Sequence, residues 1–449
     1  MDQLAQLKAS RAGREEIDRK VKAFLDKSGV NSQGAKAKDP IKVQSNDNAV
    51  VQYDGLLVTM TSDYNWIWSD YGFRGIYDIS AWDPVSQKGG QLKPLGSVGV
   101  PRHSELSGTR ASLLVGADPS WTGPPAVKAP TGFQEIWRDT GSGGKHDGAF
   151  WHPIAPSGYV AVGDVATYGY SAPSTSRIWC LRQDLVSEAR FVWLWDDERS
   201  GARANCSLWD IQPVSAGRHG GTKIPILADC FRARPDWQEP PLSQAKVPAL
   251  EVGNHFKPFE GQMPPIDPAN PPHKGQIFNK LLQVQIELPF VAFFRATDRS
   301  CLSNIQKPFC ILSRACAWRV EDVINNKGKM AVEDTVEVKK GVSSEQKESF
   351  AHSAGVDVSA SAGIFGIGFD VSFNYQFTYE QSYSFTEYYE EIKRRDIVTP
   401  PRTLKVVFSR HIFFKETRQD ESWVLDEVTF NANDELHTAD VDIPPDLWD

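Results

Sequence analysis

Three stretches of 21 residues repeat one pattern without gaps: Tyr64–Pro84 (YNWIWSDYGFRGIYDISAWDP), Phe133–Pro153 (FQEIWRDTGSGGKHDGAFWHP) and Phe191–Ile211 (FVWLWDDERSGARANCSLWDI). Equivalent positions are Trp68, Trp137 and Trp195; Asp70, Asp139 and Asp197; Asp78, Asp147 and Asn205; and Trp82, Trp151 and Trp209. A short apolar strand follows each copy, at Pro94–Val98, Ala161–Val165 and Ile226–Cys230. Repetition on this scale marks a body assembled from like units, and three β-units that close on one another leave no free sheet edge. The expectation is a mainly β fold with a pseudo-three-fold, β-prism-like head over residues 45–240; the unit is long for a β-trefoil.

The repeated Trp pairs are expected to pack against their symmetry mates on the axis. The Asp/Asn series has two readings. Carboxylates beside tight turns cap backbone N–H groups. Alternatively, Asp70, Asp139, Asp197, Asp78, Asp147 and Asn205 form three related receptor-binding sites at one end of the prism, gripping sugar hydroxyls or a head group with the avidity of repeated sites.

The second copy and its surroundings carry a resemblance. Ile136–Gly143 (IWRDTGSG), Asp147–Pro153 (DGAFWHP) and Gly158–Val165 (GYVAVGDV) resemble the vacuolar-protein-sorting-associated protein 62 family over about 45–240. The third copy departs at Glu198, Arg199 and Asn205. The resemblance implies the β fold and a tie to membrane trafficking, and it fixes no catalytic residue.

The chain has 449 residues, 40% hydrophobic and 24% charged, enough for two or three cores. Of 14 Trp, eleven lie between Trp66 and Trp237, so the two halves follow different rules. No apolar run is long enough for a transmembrane helix, and Met1–Leu4 does not open like a signal peptide. A soluble product is expected, released by a non-classical route to a target cell membrane. The six Cys are read as reduced, buried small residues, with a Cys301–Cys310 loop bridge as the alternative. Residues 1–42 hold ten Lys/Arg against six Asp/Glu, a net of +4, which leaves −12 for the rest of a chain at −8. An acidic body argues against nucleic acid as partner.

Residues 1–44 read as an N-terminal helical arm, a possible activation segment, and 241–275 as a proline-rich connector. Residues 276–449 read as a second β domain. Its informative stretch is Ser349–Phe385. From Ile367 to Tyr379 odd positions are apolar and even ones polar or Gly, while upstream the even positions are apolar. Paired numbers that sum to 727 put Val356, Val358, Ala360, Phe369, Val371, Phe373 and Tyr375 on one face, expected to meet lipid. Asp357, Asp370, Ser359, Ser361, Ser372 and Asn374 fall on the other, expected to line a lumen. Any even sum would set polar against apolar residues. Strands of about ten residues span a bilayer when tilted, and the tip, Gly363, Ile364, Phe365, Gly366 and Ile367, is itself apolar. A soluble one-faced sheet is the competing reading.

Around this hairpin the chain resembles the aerolysin-like β-pore-forming toxin family. Ala317–Asn326 (AWRVEDVINN) looks like its long entry strand, 349–385 like its insertion hairpin, and Val398–Val407 (VTPPRTLKVV) like its proline-marked return strand. The resemblance implies an elongated antiparallel module over about 280–445 that releases the hairpin into a shared barrel. In some relatives the insertion segment lies upstream, which makes 333–352 the competing assignment. Walker, HExxH, GxSxG, EF-hand and paired CxxC motifs are absent. The functional expectation is therefore a non-enzymatic pore-forming, toxin-like protein with no cofactor or metal. It is soluble as monomer or dimer and homo-oligomeric on a membrane, where it binds lipids or a glycan or protein receptor. The alternative is a non-lytic lectin-like or trafficking adaptor.

Overall fold

The computed structural model describes residues 48–214, 223–252, 257–340, 391–419, 422–431 and 435–448. The helical arm 1–44 and the hairpin 349–385 lie outside the described residues, and so do all the tip, lipid-facing and lumen positions named above. The regular structure of the described residues is almost entirely β-strand, as expected.

Each repeat folds as a three-stranded antiparallel meander. The strands are Tyr64–Ser69, Ser80–Pro84 and Val98–Val100 in the first; Gly132–Arg138, Gly148–Ile154 and Val165–Tyr168 in the second; and Val186–Asp196, Ser207–Pro213 and Phe231–Arg234 in the third. A register shift interrupts the first hairpin of every repeat at one equivalent place, between Trp66 and Trp68, Glu135 and Trp137, and Trp193 and Trp195. This bulge sets the core. In a regular strand Trp66 and Trp68 would share a face, and Trp82 opposite Trp66 would share it too. One extra residue turns Trp68 to the other face.

Trp68, Trp137 and Trp195 thus meet on the axis, edge to face, with centroids 5.9, 6.2 and 6.3 Å apart. Ile79, Phe150, Leu208 and Phe231 complete that cluster. The second Trp set does not join it, which corrects the expectation for the pairs. Trp82 packs with Tyr64, Val98, Val100 and Leu106 on the opposite face. Trp82 and Trp209 donate to the hydroxyls of Ser80 and Ser207, and Trp151 to Thr167.

The seams between repeats are closed by ion pairs that run one way round the axis. Arg177, from the second repeat, reaches Asp83 of the first at 3.0 Å; Arg232 of the third reaches Asp164 of the second at 2.7 Å; and Arg110, after the first, reaches Asp229 of the third at 2.8 Å. Backbones touch at the same level: a Cβ on Gly96 would lie 2.9 Å from Gly163 Cα, so only glycine fits. Strand Lys246–Glu251, within the stretch read as connector, pairs with Val186–Glu188 and Lys223–Pro225 and belongs to the third repeat's sheet.

The second module is one long sheet, antiparallel except where Val332–Lys340 meets Trp423–Asn431 in parallel at Lys340 and Asn431. Its strand order is Ile277–Pro289, Phe309–Asn326, Thr403–Arg418, Trp423–Asn431, Val332–Lys340 and Glu391–Thr399, with His437–Asp442 on the near half of Thr403–Arg418. Trp318, Val320, Leu404, Val406 and Phe408 form its core. The proline-rich stretch lies along this sheet: Gly261 O accepts from Trp318 Nε1, and Gly275 N donates to Val320 O. Prism and sheet join through Tyr53 Oη to Glu287 O at 2.8 Å and Ala111 N to Ala296 O at 2.9 Å.

Candidate functional site

The turns that follow the axial Trp residues, 70–79, 139–148 and 197–206, converge at one end of the prism. Lys145 N donates to Tyr71 O, Arg203 N donates to Thr140 O, and Gly72 and Gly144 lie against neighbouring turns. The leading aspartates are inside this end: Asp70, Asp139 and Asp197 are 4, 2 and 3% exposed. Each closes its own turn. Ile79 N donates to Asp70 Oδ1 and Cys206 N to Asp197 Oδ1, and the Gly148 N–H likewise meets the Asp139 carboxylate.

The same carboxylates also tie neighbouring repeats together. Trp195 Nε1 donates to Asp70 Oδ2 and Trp68 Nε1 to Asp139 Oδ2, both at 3.2 Å. Each axial indole also donates to a carbonyl of the next repeat: Trp68 to His146, Trp195 to Tyr77 and Trp137 to Ala204. Burial pushes the Asp70 and Asp139 carboxyls above their usual range, against the pull of these donors. Turn capping is therefore what the leading aspartates do. The second series is placed differently: Asp78, Asp147 and Asn205 are all exposed on the same end.

A third member of each site was missed by sequence reasoning. His103 Nε2 lies 2.6 Å from Asp70 Oδ1, Tyr170 Oη donates to Asp139 Oδ1 at 2.9 Å, and Trp237 Nε1 donates to Asp197 Oδ1 at 2.7 Å. The three follow their aspartates by 33, 31 and 40 residues, so no fixed spacing announces them. Burial lifts the Tyr170 phenol to about 12, so it stays a donor. Around the first site, Tyr71 and Ile76 are 55% and 47% exposed. Exposed Arg74, Lys145, Arg199 and Arg203 surround them on the same turns.

A larger cleft, of about 710 Å³, opens over the seam between the second and third repeats, with Glu135, His152, Ile154, Tyr159, Arg232 and Lys246 in its lining. At its floor the fully buried Asp164 accepts from Arg232 and contacts His152 Nδ1 at 2.7 Å. That carboxylate is committed to the seam.

The second module offers a frame. Strands Val332–Lys340 and Glu391–Thr399 pair antiparallel from Val332↔Thr399 to Lys340↔Glu391, so residues 340 and 391 stand side by side at the ends of 341–390. The pair is rich in charge and largely exposed, with Val336, Val338 and Thr399 buried: Thr335 Oγ1 donates to Asp396 Oδ1 and Arg394 Nε to Glu337 Oε1. Deeper in the sheet, Ser409 and His411 both hydrogen-bond Glu321. Burial alone would raise the Glu321 carboxyl, but these donors and the Arg319 charge outweigh it and hold it at about 2.

Residues 41–252 match the vacuolar protein sorting-associated protein 62 family. The matched residues take in the prism, including the strand Lys246–Glu251, and agree with the resemblance drawn from the second repeat. No curated protein matches the chain. Among solved structures, the crystal structure of GNIP1Aa from Chromobacterium piscinae is 26% identical, with a TM-score of 0.35, over 43% of this chain and 36% of that one. The crystal structure of Cry35Ab1 is 11% identical, with a TM-score of 0.29, over 70% of this chain and 89% of that one. This chain thus spans about a third of the length of GNIP1Aa. Overlaps this loose carry no inference about activity.

Proposed function

We propose that this is a toxin-like, pore-forming protein. It binds a target membrane through the turn end of the prism, assembles into a ring and inserts 350–377 as a shared β-barrel. The observation that carries this reading is register. The strands that frame 341–390 pair with numbers summing to 731, from 332 with 399 to 340 with 391. That sum is odd, the parity the alternation in Ser349–Phe385 demands. A ladder continued in step would keep Val358, Ala360, Val371 and Phe373 on one face and Asp357, Ser361, Asp370 and Asn374 on the other. In a closed barrel the backbone donors of such a ladder are all paired. The charged framing strands would stay in water, and the turn end offers Tyr71 and Ile76 among four cationic residues as the membrane contact.

The test is release of a trapped dye from vesicles of phosphatidylcholine, phosphatidylserine and a glycolipid. Full-length protein should release dye. Ile364→Asp/Phe365→Asp should bind the vesicles equally and release none, because two carboxylates cannot lead the tip across hydrocarbon. Equal release by the variant would sink the reading. The Vps62 match favours a second reading, a non-lytic trafficking adaptor, which predicts binding without release by either protein.

A further inference from the structure

Three pseudo-equivalent sites at the turn end perform one structural task, and the first is built from different chemistry. In each, a side chain from outside the repeat hydrogen-bonds the buried aspartate. Tyr170 and Trp237 do this for Asp139 and Asp197 as donors of an O–H and an N–H. At Asp70 the residue is His103, whose ring nitrogen is also a metal ligand. The neighbouring position is Asp78 in the first repeat but Asn205 in the third. Asp70, Asp78 and His103 each offer one ligand atom, and these atoms lie within 4.8 Å of one another. They face a cleft of about 280 Å³ bordered by Tyr71, Phe73 and Tyr77.

We propose that Asp70, Asp78 and His103 bind a first-row divalent metal ion of the zinc class, and that the other two repeats do not. Three features of the first site support this. The Asp70 carboxylate is oriented from behind by Ile79 N at 3.0 Å and Trp195 Nε1 at 3.2 Å, as outer-shell donors orient metal-bound carboxylates. Ligands at about 2.0–2.2 Å from a metal stand roughly 3.3–3.6 Å apart. Reaching that spacing asks His103, a half-buried side chain, to back away from Asp70 by about an ångström and the exposed Asp78 to swing in. One imidazole and two carboxylates suit zinc, cobalt or manganese; calcium prefers an all-oxygen shell. Three protein ligands leave a coordination position open toward the cleft, where a hydroxyl or phosphate of a bound target would complete the shell. This goes beyond the proposed function and stands without it, because metal binding is read on the soluble full-length protein.

The other repeats supply the control. His103→Tyr copies the second repeat: it keeps a donor for Asp70 and removes the ligand. Calorimetric titration of the full chain with Zn²⁺ should give one site. Co²⁺ should give visible bands of a nitrogen–oxygen site without the near-ultraviolet absorption of thiolate ligands. His103→Tyr should melt within about 2 °C of the parent and lose at least about 100-fold in Zn²⁺ affinity, with Asp78→Asn falling by 10-fold or more. Thiolate-type Co²⁺ spectra, or equal Zn²⁺ affinity in parent and His103→Tyr, would overturn the proposal. So would the absence of binding at micromolar Zn²⁺.

Discussion

Gly148→Ala should unlock the axis of the prism. A Cβ built on Gly148 would stand 2.1 Å from Trp68 Cδ1, 2.4 Å from Nε1 and 2.5 Å from Cγ. Carbon atoms pack at about 3.5–4.0 Å, so the indole must retreat by roughly 1.5 Å. It has nowhere to go. Trp68 is fully buried and ringed by Phe73, Trp137, Phe150 and Trp195 at 5.3–6.3 Å between centroids. Its N–H is fixed by His146 O at 3.1 Å and Asp139 at 3.2 Å. Overpacking costs about 1–3 kcal/mol, and loss of those two hydrogen bonds about 1 kcal/mol each, so about 3–5 kcal/mol in all. The ~0.5–1 kcal/mol gained from a stiffer unfolded chain does not offset this. For a body of about 200 residues the melting temperature should fall by about 6–20 °C. Thermal unfolding followed by near-ultraviolet circular dichroism, which reports the Trp cluster, measures it. Gly132→Ala is the control, since its Cβ would meet only Ile154 Cδ1 at 3.8 Å. If both variants melt within about 1 °C of the parent, the axial Trp cluster does not lock the three repeats together.

Further expectations follow from single contacts. Arg110→Ala strands the buried Asp229 and should cost about 3–5 kcal/mol, read by urea unfolding; a loss below 1 kcal/mol would mean that the seam pairs do not hold the prism. Glu321 has a folded-state pKa held below the unfolded value, so its stabilisation is present above pH 4.5 and is lost as pH falls toward 2. A drop from 4.5 to about 2 is worth about 3 kcal/mol, and Glu321→Gln should flatten that part of the stability–pH curve. All six cysteines are buried, and burial pushes Cys180 up to about 12. Native protein should therefore show almost no fast reaction with a thiol reagent, and six thiols once unfolded in denaturant.

The repeat was legible because its words are long and aligned: the axial Trp and capping Asp positions can be read from Tyr64–Pro84, Phe133–Pro153 and Phe191–Ile211 alone. What those words do not carry is the bulge. Alternation by two places Trp66, Trp68 and Trp82 on one face, and one looped-out residue separates them, so the second Trp set was misplaced. The seam pairs were invisible for another reason. Arg110, Arg177 and Arg232 do the same work from unequal places in their repeats, so no column of an internal alignment contains them. His103, Tyr170 and Trp237 escape in the same way and differ in chemistry as well. The prism's extension to Glu251 was masked by Pro248, which suggests a connector but sits opposite Val186 at the end of a short three-pair ladder.

Conductance across a planar lipid bilayer would show whether one face of Ser349–Phe385 lines a water-filled barrel, as proposed. Full-length protein should give discrete current steps whose reversal potential in a salt gradient shows cation preference. With Asp357 and Asp370 as the two acidic lumen positions per protomer of the proposed barrel, Asp357→Asn/Asp370→Asn should keep the steps and weaken that preference. Absence of steps from protein that binds the membrane, or an anion preference unchanged in the double variant, would contradict it.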